Sequence, residues 1–457
     1  MIHDAHGWWI AEAGSPDVLP ALEGDQAADV AIVGGGYTGM WAAWHVLEAD
    51  PSARVVVLEA GRCGHGPSGR NGGFVSGMAL SRPSLTERFG AAAAQAWIDA
   101  AADTVRAIGD WCEAEGVDAW YRRGGELLVS TAPAQDAAGA AAVDGDEVVA
   151  LDGPAARARI ASPVVRGAVY VRTGANVHPA RLAFGLRARL LTRGVRIHEG
   201  CRVRALRGAP GGVVAETAGG RVRARAALVA VNAASGALRP LRDRLTVSSS
   251  HIVCTEPVPD VIEALGWTGG ESVSDGRALL HYLRTTRDGR IVFGWAGGRM
   301  AAGARTGGRM EVDHRVVAAA RRDLLRFFPM LEGRGIAHAW GGPIDVSPTH
   351  LPVVTSLPGL PAWAAFGYTG NGVGPSHLLG RTMAALALDR RDEVTRLPFV
   401  DGPPPRVPPE PLRVVGAAAI RRALVRAEAA EEQGRRPDPV TRVLVGLPAR
   451  MGLHIVR

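Results

Sequence analysis

The 457-residue chain contains no lysine; all 52 of its Lys/Arg positions are arginine. No lysine ammonium is therefore available to any reactive centre. The formal charge is +7, but the arginines are scattered. Arg202, Arg204, Arg221, Arg223 and Arg225 alternate along apparent strands, as a solvated face does. A nucleic-acid reader would cluster its basic residues on one element with aromatics between them, so no nucleic-acid partner is expected. No apolar run reaches 18 residues, so neither a membrane helix nor a membrane partner is expected. The start, MIHDAHGWWIAEAG, carries acids and no basic segment, unlike a secretory signal. Cysteine is sparse: Cys63, Cys112, Cys201 and Cys254 lie far apart with no C-x-x-C pair. That argues against a disulfide framework and a zinc or other metal site, and for a reducing, cytoplasmic setting.

What is present is a globular composition, 47% hydrophobic and 21% charged, in a chain long enough for two domains. The most informative stretch runs from Ala28 to Glu59. A short apolar run, Val30 to Val33, enters the glycine turn Gly34-Gly35-Gly36-Tyr37-Thr38-Gly39. An apolar helical segment from Met40 to Leu47 follows, stopped by Asp50-Pro51. A second apolar run, Val55 to Leu58, ends at Glu59. Strand, glycine turn, helix, strand and acid form the βαβ unit that binds dinucleotides. Gly34 permits the turn, Gly36 lets backbone approach a pyrophosphate, and Gly39 lets helix and strand pack closely. The helix N-terminus offers N–H groups to phosphates. Glu59 stands where an acid accepts ribose hydroxyls, and it disfavours a 2′-phosphate. Tyr37 and Thr38 in the turn, and Ala60 and Arg62 beside Glu59, belong to the same candidate cofactor set.

The loop Gly61–Gly73, with Ser68, Arg70, Asn71, Gly72 and Gly73, is too glycine-rich for regular structure. It suits a backbone-lined cradle for a ligand bulkier than NAD. Pro179–Thr192 reads as a crossover helix. Three short strands follow, Val203–Leu206, Val213–Thr217 and Val222–Ala224, and then a buried strand, Ala226–Ala233, with the polar cap Asn232. Val247–Thr255 and a hairpin around Asp288-Gly289 are strand-rich, and residues 312–328 form an amphipathic helix. Ala337–Gly342 reads as a strand into a glycine turn. Gly367–Val373 then leads into a helix whose N-terminus can hold a second negative group. Residues 401–457 begin proline-rich and continue as a charged helix.

Four stretches together resemble the FAD-dependent D-amino acid oxidase-like superfamily, and most of all its gamma-glutamylputrescine oxidase branch. They are ADVAIVGGGYTGMWAA, SGRNGG at Ser68–Gly73, HYLRTTRDGRIVFG at His281–Gly294, and WGGPID through GYTGNGV at Trp340–Val373. The resemblance implies an α/β fold: a Rossmann-type FAD domain, with a parallel sheet and a β-meander, plus an α+β substrate domain with an antiparallel sheet. It implies a leader (1–28), a discontinuous FAD domain (29–80, 165–243 and 335–400), a substrate domain (81–164 and 244–334) and a surface-packed tail (401–457). It implies noncovalent FAD. Gly34, Gly36, Gly39 and Glu59 would hold the ADP half, and Ser68, Arg70, Asn71, Gly72 and Gly73 the pyrophosphate and flavin. Val203 would meet adenine, and Gly370, Asn371, Gly372 and Val373 the flavin pyrimidine.

The implied reaction is oxidation of the C–N bond of a small amine or amino acid to an imine, by hydride transfer to flavin N5. Oxygen or another acceptor would take the electrons. Some relatives place a lysine near N5 to assist oxygen, and this chain has none, so oxidase and dehydrogenase both stay open. His251 and His281 are candidates to take the ammonium proton. Arg284 or Arg290 is a candidate carboxylate clamp, and Tyr282, on the same strand face as Arg284, a candidate pocket wall. The alternatives are a flavin monooxygenase, disfavoured by Gly370-Asn371-Gly372 where a Gly-Asp pair is usual, and a non-catalytic FAD-binding module.

Overall fold

The computed structural model describes residues 2–3, 5–140, 145–402 and 404–451. Met1 and Asp4 of the leader, residues 141–144 of the substrate-domain segment, Pro403 of the proline run and the last six residues of the tail lie outside that set.

Two large sheets organise the chain. The first has six strands in the order Arg196–His198, Val55–Leu58, Val30–Val33, Ala226–Val229, Ala362–Phe366, Val353–Ser356. All neighbours are parallel except the last pair. These runs are apolar on both faces because both faces are covered. Val30, Ile32, Val55 and Val57 pack under the helices Tyr37–Ala49 and Val373–Ala387. Ala31, Val56 and Leu58 pack against Val222 and Ala224 of a meander. That meander is Ala205–Ala209, Gly212–Glu216 and Arg221–Ala224, extended by Gln26–Ala27 from the leader.

The second sheet has nine strands: Ile2–His3, Ile336–Val346, Thr246–Thr255, Ile291–Trp295, His281–Thr285, Ser272–Asp275, Glu126–Ser130, Gly167–Val171, Val148–Leu151. It is mixed, since the first pair and the Ser272–Asp275/Glu126–Ser130 pair are parallel. Its two faces are chemically distinct. Val253, Leu283, Phe293 and Ala339 face the helix His314–Phe327. Ile252, Cys254, Val292 and Trp340 join the core beneath the first sheet's helices. The sheet therefore presents one face to the nucleotide-type domain and hides the other.

Several expectations shift. Gly341-Gly342 is not a turn, because the strand runs on to Val346 beside Thr246–Thr255. A Cβ at Gly341 would overlap the imidazole of His251 on the neighbouring strand, so the glycine serves packing. The segment from 336 to 346 thus belongs to the nine-stranded sheet. The leader is helical at Gly7–Ala13 and buries Trp8 and Trp9. Residues 135–170 include strands at the sheet's edge as well as helices. The tail forms two helices, Leu412–Glu432 and Pro439–Arg450. It is tied to the hairpin region by the Leu279 N–H donating to Glu428 (3.0 Å) and by Arg326 paired with Glu432 (2.9 Å). All four cysteines are buried and unpaired. Among the described residues no helix is long and apolar enough to cross a membrane.

Candidate active site

The six-stranded sheet opens a cavity of about 720 Å³ at the ends of its parallel strands, where such folds bind ligands. One end is walled by Glu59, Arg62 and Val203, and the other by Tyr368, Gly370, Gly372 and Val373. The glycine turn forms the floor. Gly34 sits at φ +109°, a conformation glycine alone adopts without strain, and a Cβ there would strike the Ala230 carbonyl. A Cβ at Gly39 would overlap the Gly34 carbonyl oxygen, so helix and turn touch only because the side chain is missing. The N-cap residues of the helices from Tyr37 and Val373 are Gly36 and Gly372, which have no side chain to cap them. Both N-termini border the cavity, so two partial positive charges converge on it.

Glu59 is fixed by the N–H groups of Gly35 and Gly61, each at 2.7 Å. Ser68 accepts from the Tyr37 N–H (2.9 Å), joining the second loop to the first turn. Thr38 and Tyr368 share a hydrogen bond of 2.6 Å across the floor. These contacts build a trough of backbone donors with an acid at one end and a second helix terminus at the other, which fits an FAD-sized dinucleotide.

Of the cofactor candidates, Gly34, Gly36, Tyr37, Thr38, Glu59, Ala60, Arg62, Ser68, Asn71, Val203, Asn232, Gly370, Gly372 and Val373 line this cavity. Others stand behind it. Gly39 packs under the turn. Arg70 is turned away: its guanidinium donates to the Ala5 carbonyl and pairs with Glu311 at 3.4 Å. Gly72 lies under the ring of Tyr282, and Gly73 against Arg284. Asn371 caps the loop, its N–H on the Tyr368 carbonyl (3.0 Å). The amide of Asn71 is used within its own loop, donating to the Pro67 and Ser68 carbonyls and accepting the Gly73 N–H.

Sequence reasoning missed Asp345. It is fully buried, accepts from Asn232 Nδ2 (2.9 Å) and the Gly367 N–H (2.5 Å), and borders the cavity. Burial pushes its carboxyl up to about 7 against those donors. The signal was a lone acid in an apolar strand, WGGPID, three residues past a glycine pair. The apolar wall of Leu206, Leu357 and Leu360 was also unmarked, since it is assembled from distant loops.

The catalytic candidates separate by sheet face. Tyr282 faces the nucleotide-type domain, its ring over Gly294 and Gly72 and its hydroxyl 2.7 Å from Ser250 Oγ. Burial pushes that phenol up to about 12, which keeps it neutral, and it does not line the cofactor cavity. Arg284 shares the face, but its Nη1 donates to the carbonyls of Val177 (2.6 Å) and Gly73 (3.4 Å), and its Nε to that of Thr285. It does not line the cofactor cavity. His251 is corrected by the structure: it lies on the hidden face, fully buried, with neither ring nitrogen hydrogen-bonded. Burial pulls it down to about 4. It cannot reach a substrate through the sheet. His281 is on that same hidden face, held by Asp275 (2.7 Å) and Asp323 (3.0 Å). Burial opposes its charge, but the two acids outweigh burial and raise its pKa. Arg290 pairs with Asp288 (2.7 Å) at the hairpin turn.

The family model described as FAD dependent oxidoreductase, DAO, matches residues 29–386. The chain belongs to the DAO family of FAD-dependent oxidoreductases. The DAO-family chain is 30% identical over 441 residues to the gamma-glutamylputrescine oxidoreductase of Escherichia coli, covering 92% of this chain and 98% of that one. It is 29% identical over 413 residues to the probable oxidoreductase OrdL of Rhizobium meliloti, covering 87% and 91%. Among solved structures it resembles glycine oxidase from Geobacillus kaustophilus, with TM-score 0.68 and 20% identity, covering 80% of this chain and 96% of that one. It also resembles L-proline dehydrogenase from P. horikoshii, with TM-score 0.68 and 16% identity, covering 83% and 96%. This chain is thus an FAD-dependent oxidoreductase, with FAD as its cofactor.

Proposed function

We propose that the chain oxidises an amine that carries no carboxylate on its reacting carbon. One observation carries this reading. Among the described strand residues facing the nucleotide-type domain, Arg284 is the one arginine near Tyr282, and its Nη1 is committed to the Val177 and Gly73 carbonyls. The rest of that face offers Tyr282, Ser250, Ile252 and Ile344, which suit an alkyl amine better than an amino acid. The relative in Escherichia coli is named for gamma-glutamylputrescine, which supports an amine substrate.

FAD, when bound, would supply the two-electron acceptor for oxidation of the amine's C–N bond. The residues do the rest. Glu59 and the turn Gly34–Gly36 hold the adenosine end. The N-terminus of Val373–Ala387 places partial positive charge where the cofactor's far end gains negative charge. Asp345 fixes the Gly367 backbone and Asn232, and so positions that helix entry. Tyr282 walls the substrate and offers its hydroxyl, oriented by Ser250.

Anaerobic mixing of the holoenzyme with a panel of amines and α-amino acids tests the reading. Visible flavin absorbance is expected to bleach at least 100-fold faster with an alkyl or diamine-type substrate. Faster bleaching by α-amino acids would overturn it. Repeating the assay in air shows whether oxygen accepts the electrons, by peroxide formation, or whether only a dye does. Tyr282→Phe keeps the ring over Gly294, and Ser250 keeps its bond to the Trp295 carbonyl (3.0 Å). The variant is expected to retain Tm within about 3 °C while kcat/KM falls about tenfold, roughly 1.4 kcal/mol of transition-state stabilisation. Unchanged kcat/KM would remove Tyr282 from the site.

A further inference from the structure

A second cavity, of about 330 Å³, opens at the tip of the hairpin. It shares no lining residue with the cofactor cavity. Three guanidinium groups line it: Arg122, Arg284 and Arg287. Arg287 is neutralised by Asp118 at 3.2 Å. Arg122 and Arg284 are not: among the described residues neither has an ion pair. Arg122 donates to the Thr268 carbonyl. Arg284 is only 4% exposed, and its Nη2 makes no hydrogen bond to the described residues. A buried guanidinium without a counter-ion is costly, and a second positive charge close by adds to that cost.

Both groups are held in place. A Cβ at Gly73 would lie 2.6 Å from Arg284 Nη1, and one at Gly270 would overlap Arg122 Nε, so two glycines clear room for two cations. The remaining wall combines the aromatic residues Trp120 and Tyr121 with the polar residues Asp118, Asn176, Thr285 and Thr286. Trp120 sits at φ +52°, a strained backbone for a bulky residue and a feature that gathers at ligand sites.

We propose that this cavity binds a small organic carboxylate. The carboxylate would bridge Arg122 and the unused Nη2 of Arg284 with charge-assisted hydrogen bonds, and its hydrocarbon part would rest on Trp120 and Tyr121. An inorganic oxyanion such as sulfate has no hydrocarbon part to rest on Trp120 and Tyr121. The site reports to the cofactor loop through Arg284, whose other nitrogen holds the Gly73 carbonyl. It is separate from the amine site proposed above and does not rest on that reading.

The test uses FAD-loaded full-length protein with sodium succinate as probe, at ionic strength fixed with sodium chloride. Calorimetric titration is expected to show one saturable site per chain, and saturation to raise Tm. The visible flavin spectrum should not shift, because the ligand lies away from the flavin. Arg122→Gln, which alters an exposed residue outside the cofactor cavity, is expected to weaken binding at least tenfold and abolish the Tm rise. It should leave flavin content and amine-driven bleaching unchanged. Equal binding by wild type and Arg122→Gln, no saturable heat, or sodium sulfate binding as tightly as succinate would each overturn the proposal. So would a succinate-induced flavin spectral shift, which would place the ligand in the main site.

Discussion

Gly39→Val is expected to give a chain that purifies largely without FAD and melts well below the wild type. The reason is a single contact. Any Cβ at residue 39 would overlap the Gly34 carbonyl oxygen, and Ile32 Cγ2 would be 3.1 Å away. Neither can yield cheaply. The Gly34 carbonyl is backbone in the turn that forms the cavity floor, and Ile32 is fully buried in the strand beneath. The helix must therefore lift off its strand. Overpacking of this kind costs about 1–3 kcal/mol when side chains can adjust, and backbone obstruction places this case at the top of that range or above it. Lifting the helix also draws its N-terminal N–H groups away from the phosphates. Flavin absorbance per protein is expected to fall at least tenfold on gel filtration, and Tm by 8 °C or more, taking about 2–4 °C per kcal/mol for a large domain. Near-normal flavin content would show that the glycine turn does not hold the dinucleotide as described.

The second large effect is loss of stability in mild acid. His251 and His178 are fully buried, and burial pulls them down to about 4 and about 3. His178 is depressed further by the nearby charges of Arg181 and Arg284, while Glu12, 2.8 Å from its Nε2, opposes the shift. His377 is buried and shifted well below its usual value, again by burial and then by His45 and Arg381. In each case the folded pKa lies below the unfolded value of about 6.5. The unfolded chain therefore binds these protons first. The contribution is fully present above about pH 6.5 and is lost as pH falls toward the folded values. For His251 the gap corresponds to about 3 kcal/mol, a sizeable part of a typical folding free energy. His281 works in the opposite sense: its pKa is raised, so its contribution is present below about 6.5 and fades as pH rises. Asp345, raised to about 7 by burial, also binds its proton first in the folded state and gains stability as pH falls, so with His281 it offsets part of what the three histidines lose. With saturating FAD, Tm is expected to fall between pH 6 and 4.5, where the histidines take up protons on unfolding. His251→Leu removes two unpartnered polar nitrogens from an apolar face, so it should flatten that fall and leave activity intact. A loss of turnover in His251→Leu would restore a catalytic role to that side chain.

Asp345 and Arg284 show where reading the chain in one dimension stops. Asp345 lies near neither Asn232 nor Gly367 in sequence, and its role exists only because a strand of one sheet ends beside the loop of another. Arg284 stands two residues from Tyr282 on one strand face, as alternation requires. Nothing along the chain says that the Val177 and Gly73 carbonyls will occupy it. His251 stands in the same strand as Ser250, and the period of two sends one toward the nucleotide-type domain and the other away from it. The sequence contained that alternation, but which face would meet the ligand depended on how the sheets stack.

The chain by itself determined the dinucleotide trough. Ala28–Glu59 carries every part within 32 residues, and local glycine sterics, helix termini and strand burial act over that span without help from elsewhere. The second glycine loop, Gly367–Val373, was readable for the same reason. Only the tertiary structure decided the reactive half: which histidines are hidden, how Arg284 is engaged, and that its free edge opens into a separate cavity. The physical reason is range. Backbone turns and helix ends are set by neighbours a few residues apart, whereas pocket polarity and pKa depend on which distant side chains and carbonyls burial brings into contact.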